Sequence, residues 1–225
     1  MPAYNEAATV GEIIRRVRAA PLSQPWELIV VDDGSTDGTR SVLERVLAQT
    51  ADEIRIVSHE VNRGKGAAIR TALAHARGEI ILIQDADLEY DPHDYPRLLG
   101  PILDDQADVV FGNRFHGGPH RVLYFWHYVG NRILTLFADV LTGLNLSDME
   151  VGYKVFRADT LRRIPLKSDR FGFEPEVTVK VAQLRCRVYE VPIRYHGRTY
   201  EEGKKITWRD GLAALVHLFR YRFFD

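Results

Sequence analysis

The 225-residue sequence predicts an α/β domain with a mainly parallel sheet flanked by helices and with amphipathic helices toward the C-terminus. Two patterns carry that prediction. Short apolar runs alternate with stretches of helical periodicity through the first half, which is the signature of strands joined by crossover helices. Beyond Arg121, large apolar and aromatic residues dominate, and helical spacing returns at the C-terminal end.

Taken in order, Asn5 is placed to cap a helix whose apolar positions Val10, Ile13, Ile14 and Val17 share one face. Leu28-Ile29-Val30-Val31 reads as a buried parallel strand, and Asp32 to Gly38 as a turn. A helix with Val42, Leu43, Val46 and Leu47 as its stripe follows, then a strand over Ile54-Arg55-Ile56-Val57. Asn62-Arg63-Gly64-Lys65-Gly66 is a loop, and 67–76 a helix. Ile80-Ile81-Leu82-Ile83 is a strand ending at Asp85-Ala86-Asp87, and Asp108 to Phe111 is another. From Arg121 to Leu144 the apolar content suits a helix lying at a membrane interface. A buried core helix or a dimer contact explains it equally well. From Trp208 a second amphipathic helix carries Leu212, Leu215, Val216 and Phe219.

Composition narrows the function classes. A formal net charge of -1 argues against general nucleic-acid binding. Cys186 is the only cysteine, so no internal disulfide can form, which suits a reducing compartment. No signal peptide and no uninterrupted apolar stretch of membrane-spanning length is read. The end of the chain from Arg185 is basic, with nine Lys and Arg against five Asp and Glu, as a surface meeting anionic headgroups would be.

In α/β sheets ligands gather beyond the carboxyl ends of the strands, where these acidic and glycine-rich loops fall. Residues i and i+2 of an extended segment face the same way, so Asp85, Asp87 and Glu89 can converge. Clustered carboxylates need a cation, and hard oxygen ligands favour Mg2+ or Mn2+ shared with phosphates. By itself, D-x-D is more often a solvated turn; the preceding buried strand tips the balance. Asp33 is a candidate acceptor for a base N–H, or an Asx turn. Gly64-Lys65-Gly66 opens a helix and offers an anion site, or is a plain glycine turn. Asp148 and Glu174 are carboxylates for a site or for structural caps. His59, His75 and His217 lack a second His at metal spacing.

Together these residues resemble the GT-A fold, family 2 glycosyltransferases, and among them the dolichol- or polyprenyl-phosphate mannose and glucose synthases. The matching segments are Pro2-Ala3-Tyr4-Asn5-Glu6, Val31-Asp32-Asp33-Gly34-Ser35, Asn62 to Gly66, Asp85 to Glu89, Gly112-Asn113-Arg114, Asp148 to Gly152, and Arg198 to Lys204. The resemblance implies one domain, with residues 1–115 as the nucleotide-sugar half and 116–225 as the acceptor and membrane-facing half. It implies that Pro2, Tyr4, Glu6, Val31 and Asp33 hold the nucleotide, and that Asp85, Ala86 and Asp87 meet nucleotide and sugar. Asp87 and Glu89 would bind the metal with the diphosphate. Arg114, Arg198 and Lys204 would grip donor and acceptor phosphates, with Lys65 at the anion turn. Glu89 stands where the mannose synthases often carry Gln, and Met1-Pro2 stands where relatives usually carry an apolar first strand.

The implied donor is GDP-mannose or UDP-glucose, and the implied acceptor a polyprenyl or dolichyl phosphate reached from the cytoplasmic face of a membrane by a peripheral protein. A membrane-anchoring subunit or a second copy are the protein partners this allows. Family 2 enzymes invert the anomeric centre. A lipid monophosphate, largely dianionic at neutral pH, needs no general base. A hydroxyl acceptor does, and Asp148 is the candidate. A non-catalytic nucleotide-sugar-binding or adaptor protein is the remaining alternative.

Overall fold

The computed structural model describes all residues except 49, 51–52, 116, 118, 123, 171, 200 and 204–207. The chain runs β1 (Pro2–Ala3), α1 (Val10–Arg18), β2 (Leu28–Asp32), α2 (Thr39–Leu47), β3 (Ile54–Ser58), α3 (Lys65–His75), β4 (Ile80–Ile83), α4 (Tyr95–Leu103), β5 (Val109–Asn113), α5 (Phe125–Thr142), β6 (Lys154–Arg157), α6 (Ala158–Arg162), α7 (Phe173–Gln183), β7 (Val188–Pro192) and α8 (Trp208–Phe223). The four strands expected from apolar runs are all present. β2 is buried along its whole length, which is why its sequence shows no polar alternation.

Two ladders form. β1, β2 and β3 are parallel, with Pro2 opposite Val31 and Leu28 opposite Ile54. The second sheet has the order β4-β6-β5-β7 and is mixed. β6 runs antiparallel to both β4 and β5, while β5 and β7 are parallel. The first sheet is thus wholly parallel, and the second is mixed because β6 inserts between β4 and β5. The first strand is two residues long. It is held to β2 by the Val31 N–H on the Met1 carbonyl (2.9 Å) and the Asp33 N–H on the Ala3 carbonyl (2.8 Å).

Asn5 does not cap α1, whose first turn begins at Val10 behind Thr9. It sits instead in the left-handed region at φ 51°. There its Oδ1 accepts from the Thr36 N–H (2.8 Å) and its own N–H donates to Ser35 Oγ (3.0 Å). Short polar side chains tolerate this conformation because they satisfy local backbone groups. The result locks the segment after β1 against the turn after β2.

α7 is buried on nearly every face, with Glu176 and Lys180 paired inside at 2.7 Å. Glu176 also accepts the Lys167 and Ser168 N–H groups, at 2.7 and 2.8 Å. α5, α7 and α8 pack together. α5 buries only Thr135 and Ala138 fully. Its Phe125, Trp126, Ile133, Leu136, Phe137 and Val140 face outward, joined by Leu212, Val216, Phe219 and Phe223 of α8. Among the described residues no helix is long and apolar enough to cross a membrane.

Candidate active site at the carboxyl rim of the sheet

The rim is organised from β4 outward. Gln84, the first residue after β4, is buried, and its Oε1 accepts from both the Tyr95 and Tyr153 hydroxyls at 2.6 Å. Its Nε2 donates to the Asp85 carbonyl at 2.9 Å. The strand therefore ends in a fixed frame, and Asp85, Ala86 and Asp87 leave it with their backbone already oriented. Tyr90 stacks on Tyr153 at 4.6 Å and its hydroxyl accepts the Gly152 N–H at 2.8 Å. A Cβ on residue 152 would overlap Asp85 Oδ2, so glycine there leaves room for the carboxylate.

The three carboxylates do not converge on one point. Asp85 Oδ1 pairs with Lys65 Nζ at 2.8 Å, and the same ammonium reaches Glu174 Oε1 at 2.8 Å. Asp87 Oδ2 lies 2.8 Å from Arg198 Nη2, and Glu89 Oε1 3.3 Å from Arg198 Nε. Glu6 Oε1 is 3.4 Å from Arg198 Nη1. Two cations thus divide the acids. Lys65 draws Asp85 one way, and Arg198 gathers Glu6, Asp87 and Glu89 the other. Burial, reinforced by Asp85 and Glu89, pushes Asp87 up to about 7 despite Arg198. Among the described residues no three His, Cys, Asp or Glu side chains are grouped to hold a metal alone. Asp87 and Glu89, drawn to one guanidinium and under-neutralised, fit a cation of the Mg2+ or Mn2+ type. Such ions take one or two protein carboxylates and complete their shell with phosphates and water.

Lys65 was expected at an anion turn. The structure instead gives its ammonium to two carboxylates, and their charge raises its pKa against the effect of burial. The helix N-terminus is also in use. The Ala67 N–H donates to the Asp169 carbonyl at 3.1 Å, and a Cβ at Gly64 or Gly66 would overlap the backbone of 168–169. Gly64 has φ 99°, so glycine meets both a left-handed conformation and a close backbone approach. The turn binds another part of the chain, not an open anion site.

Asp33 was expected to receive a nucleobase N–H. Its carboxylate instead accepts the Arg63 N–H (3.0 Å) and the Gly64 N–H (2.7 Å), and meets His59 Nδ1 at 2.6 Å. His59 passes the chain on to Thr71 Oγ1 at 2.9 Å. Asp33 fastens the glycine loop to β2. Pro2 and Val31 are paired neighbours on β1 and β2, and Tyr4 is partly exposed just beyond. Ala86 is buried between the two aspartates. Glu6 accepts Thr9 Oγ1 at 2.6 Å.

Arg114 and Asp148 form one buried unit. The guanidinium grips the carboxylate in a fork, Nε to Oδ2 and Nη2 to Oδ1, both at 2.6 Å, and Asn131 Nδ2 adds a bond at 3.1 Å. Asp148 is wholly enclosed. Arg114 also lies over the Tyr195 ring at 5.1 Å. A base must reach its proton, and this carboxylate is held by Arg114 and Asn131, which weighs against Asp148 as a general base. Arg121 pairs with Glu202 at 2.7 Å, and Arg132 donates to the Ser147 carbonyl at 3.2 Å. Lys204 and Lys205 lie outside the described residues. Sequence reasoning did not find Gln84, Tyr90, Tyr153 or Asn131, and it left open whether Glu174 is structural.

The parallel ladder, the mixed second sheet and an acid pair at the rim of β4 define a GT-A architecture. Glucosyl-3-phosphoglycerate synthase of Mycobacterium tuberculosis has a similar fold, with a TM-score of 0.75 at 22% identity, covering 100% of this chain and 80% of that one. A further structure of that enzyme, in complex with Mn2+ and UDP-glucose, aligns at a TM-score of 0.73 and 22% identity over 98% of this chain and 76% of that one. The glycosyl transferase family 2 profile matches residues 1–164, and the chain belongs to that family. The dodecaprenyl-phosphate galacturonate synthase of Rhizobium johnstonii is 32% identical, covering 99% of this chain and 66% of that protein. The undecaprenyl-phosphate mannosyltransferase of Micrococcus luteus is 33% identical, covering 91% and 85%. Glycosyltransferase AglJ of Haloferax volcanii is 31% identical, covering 97% and 69%.

Proposed function

We propose that this family 2 enzyme moves a hexose, mannose or glucose, from a nucleoside diphosphate to a polyprenyl or dolichyl phosphate, with inversion at the anomeric carbon. Relatives named for sugar transfer to dodecaprenyl and undecaprenyl phosphate support the acceptor. The observation that carries it is the enclosure of Asp148 by Arg114 and Asn131. A hydroxyl acceptor needs a base, and Asp148, the carboxylate the sequence offers for that task, is buried and engaged. A phosphate monoester brings its own nucleophilic oxygen, so the enzyme has only to hold two anions together.

In this reading residues 1–115 hold the donor. Pro2, Tyr4, Glu6 and Val31 line the nucleotide side, while Asp33 shapes the loop behind it. Lys65 sets the rotamer of Asp85 toward the sugar. Asp87 and Glu89 hold Mg2+ or Mn2+ beside the diphosphate, and that cation would neutralise charge growing on the leaving group. The Mn2+ and UDP-glucose in the Mycobacterium tuberculosis enzyme support this choice of donor class. Arg198 and Lys204 meet phosphate oxygens. Arg114 keeps Asp148 in place and stiffens the acceptor side.

Residues 116–225 face a membrane. Trp126 is 78% exposed and Val140 75% on α5, and Val216 66% on α8, so the two helices present one apolar surface. Arg220 and Arg222 flank it, where anionic headgroups would meet them. The protein then sits as a peripheral enzyme at the cytoplasmic face. A membrane-anchoring subunit or a second copy would use the same surface.

The test is a donor and acceptor screen. GDP-mannose and UDP-glucose are offered with undecaprenyl phosphate, dolichyl phosphate or a sugar hydroxyl acceptor, each with and without EDTA. EDTA-sensitive labelling of a lipid phosphate is expected. Transfer to the hydroxyl acceptor alone refutes the acceptor assignment, and no turnover of any nucleotide sugar favours the non-catalytic alternative.

A further inference from the structure

Arg198 stands where three acids from two distant parts of the chain meet. Glu6 follows β1, and Asp87 and Glu89 follow β4. The guanidinium makes a separate single contact with each carboxylate, using Nη1, Nη2 and Nε. Only the Asp87 contact, at 2.8 Å, has the length of a strong charged hydrogen bond; the Glu89 and Glu6 contacts are 3.3 and 3.4 Å. No two-toothed fork forms, in contrast to Arg114 on Asp148. The Arg198 side chain is 19% exposed, so solvent reaches it. Its backbone is fixed. The Arg198 N–H donates to Glu89 Oε1 at 2.9 Å, the His196 N–H donates to the Glu89 carbonyl at 2.8 Å, and the Tyr195 hydroxyl donates to Glu89 Oε2 at 3.1 Å. A long side chain on an anchored backbone, held by one good contact and two loose ones, can change partners while the loop stays in place.

Resting on the donor-site reading above, we infer that Arg198 is the acid cluster's own counterion in the absence of donor, and that the donor diphosphate draws it away to admit the divalent cation. A metal arriving alone meets a positive charge already seated on Asp87 and Glu89. A diphosphate offers the guanidinium a better bidentate partner and frees those carboxylate oxygens. Cation and donor therefore bind with positive coupling, and the displacement of Arg198 adds to what the phosphate ligands supply. Coupling is reciprocal, so the cation tightens the nucleotide by the same factor.

The experiment is Mn2+ titration of the full chain, with free Mn2+ read by electron paramagnetic resonance, alone and with saturating GDP or UDP. Wild type should bind Mn2+ weakly alone and at least about fivefold more tightly with the nucleotide that fits. Arg198→Gln should bind Mn2+ alone at least about fivefold more tightly than wild type, and should gain correspondingly less from the nucleotide. Arg198→Lys, which keeps charge near the acids, should stay close to wild type in binding Mn2+ alone and confirms that the Gln effect is one of charge. A thermal melt of each variant shows that it is folded. If Arg198→Gln binds Mn2+ alone no better than wild type while wild type still shows nucleotide-dependent binding, the counterion role is overturned and the metal site stands. If wild type binds no Mn2+ with either nucleotide, both fall, and lipid-phosphate transfer that resists EDTA would then leave the acceptor assignment standing without a metal.

Discussion

Lys65→Met separates a structural lysine from a phosphate-binding one. In the native protein the ammonium is 2.8 Å from both Asp85 Oδ1 and Glu174 Oε1, and Glu174 Oε2 is buried with no partner of its own. Methionine fills similar space and removes the charge, leaving two carboxylates in an enclosed site. Breaking a buried ion pair from one side costs about 3–5 kcal/mol. A loss of about 3–5 kcal/mol is therefore expected in urea unfolding at neutral pH. Lys65→Met/Glu174→Gln should recover part of the loss. Nucleotide affinity, measured by calorimetry at a temperature where the variant is folded, should fall only modestly. A stability loss under about 1 kcal/mol together with a tenfold weaker nucleotide would refute this reasoning and return Lys65 to the phosphates.

Gly152→Ala places a methyl group against Asp85 Oδ2 and the Tyr90 ring. Turnover at saturating donor should fall at least about tenfold for a stability cost of about 1–3 kcal/mol in thermal melts; unchanged turnover would show that the position of Asp85 is not critical. Glu150 has an enclosed Oε1 without a partner, and burial followed by repulsion from Glu174 pushes it up to about 7. A raised carboxyl pKa contributes stability below its unfolded value that is lost as pH rises through the folded one. Relative to wild type, Glu150→Gln should therefore gain up to about 3 kcal/mol between about pH 4.5 and pH 8 in denaturant titrations, and a flat difference would contradict the assignment. Trp126→Ser/Val140→Asp should lower recovery with anionic liposomes in flotation while leaving the melting temperature within a few degrees. Unchanged flotation with altered sedimentation would instead make the apolar face a contact between copies.

The strands were legible where the apolar run is unbroken. Leu28 to Val31, fully buried, and Ile80 to Ile83, only partly buried, are both continuous apolar runs and both form strands. β6 was not, because it begins with Lys154, buried with its ammonium on the Met149 carbonyl at 3.0 Å and over the Phe111 ring. A charged residue in a covered strand hides the pattern that would mark it. α7 escaped for a related reason. Glu174, Glu176 and Lys180 are buried and ion-paired inside the protein, so no solvent-facing stripe marks a period.

The site shows the same division. Asp85, Asp87 and Glu89 were visible because their neighbours in sequence are also their neighbours in space. What orients them was not. Gln84 meets Tyr153 across 69 positions, Gly152 meets Tyr90 across 62, and Arg198 meets Asp87 across 111. Long-range partners of this kind leave no local trace. Asp33 and Lys65 were visible as charged residues in the right loops. Their actual partners, the amides of 63–64 and the carboxyl of Glu174, could be seen only in the fold.

The most direct test is sugar transfer from the preferred nucleotide sugar to undecaprenyl phosphate in detergent micelles, comparing wild type with Asp87→Asn. The account predicts a lipid-linked product from wild type and essentially none from a variant whose melting temperature is preserved. Near-normal product from Asp87→Asn would contradict it.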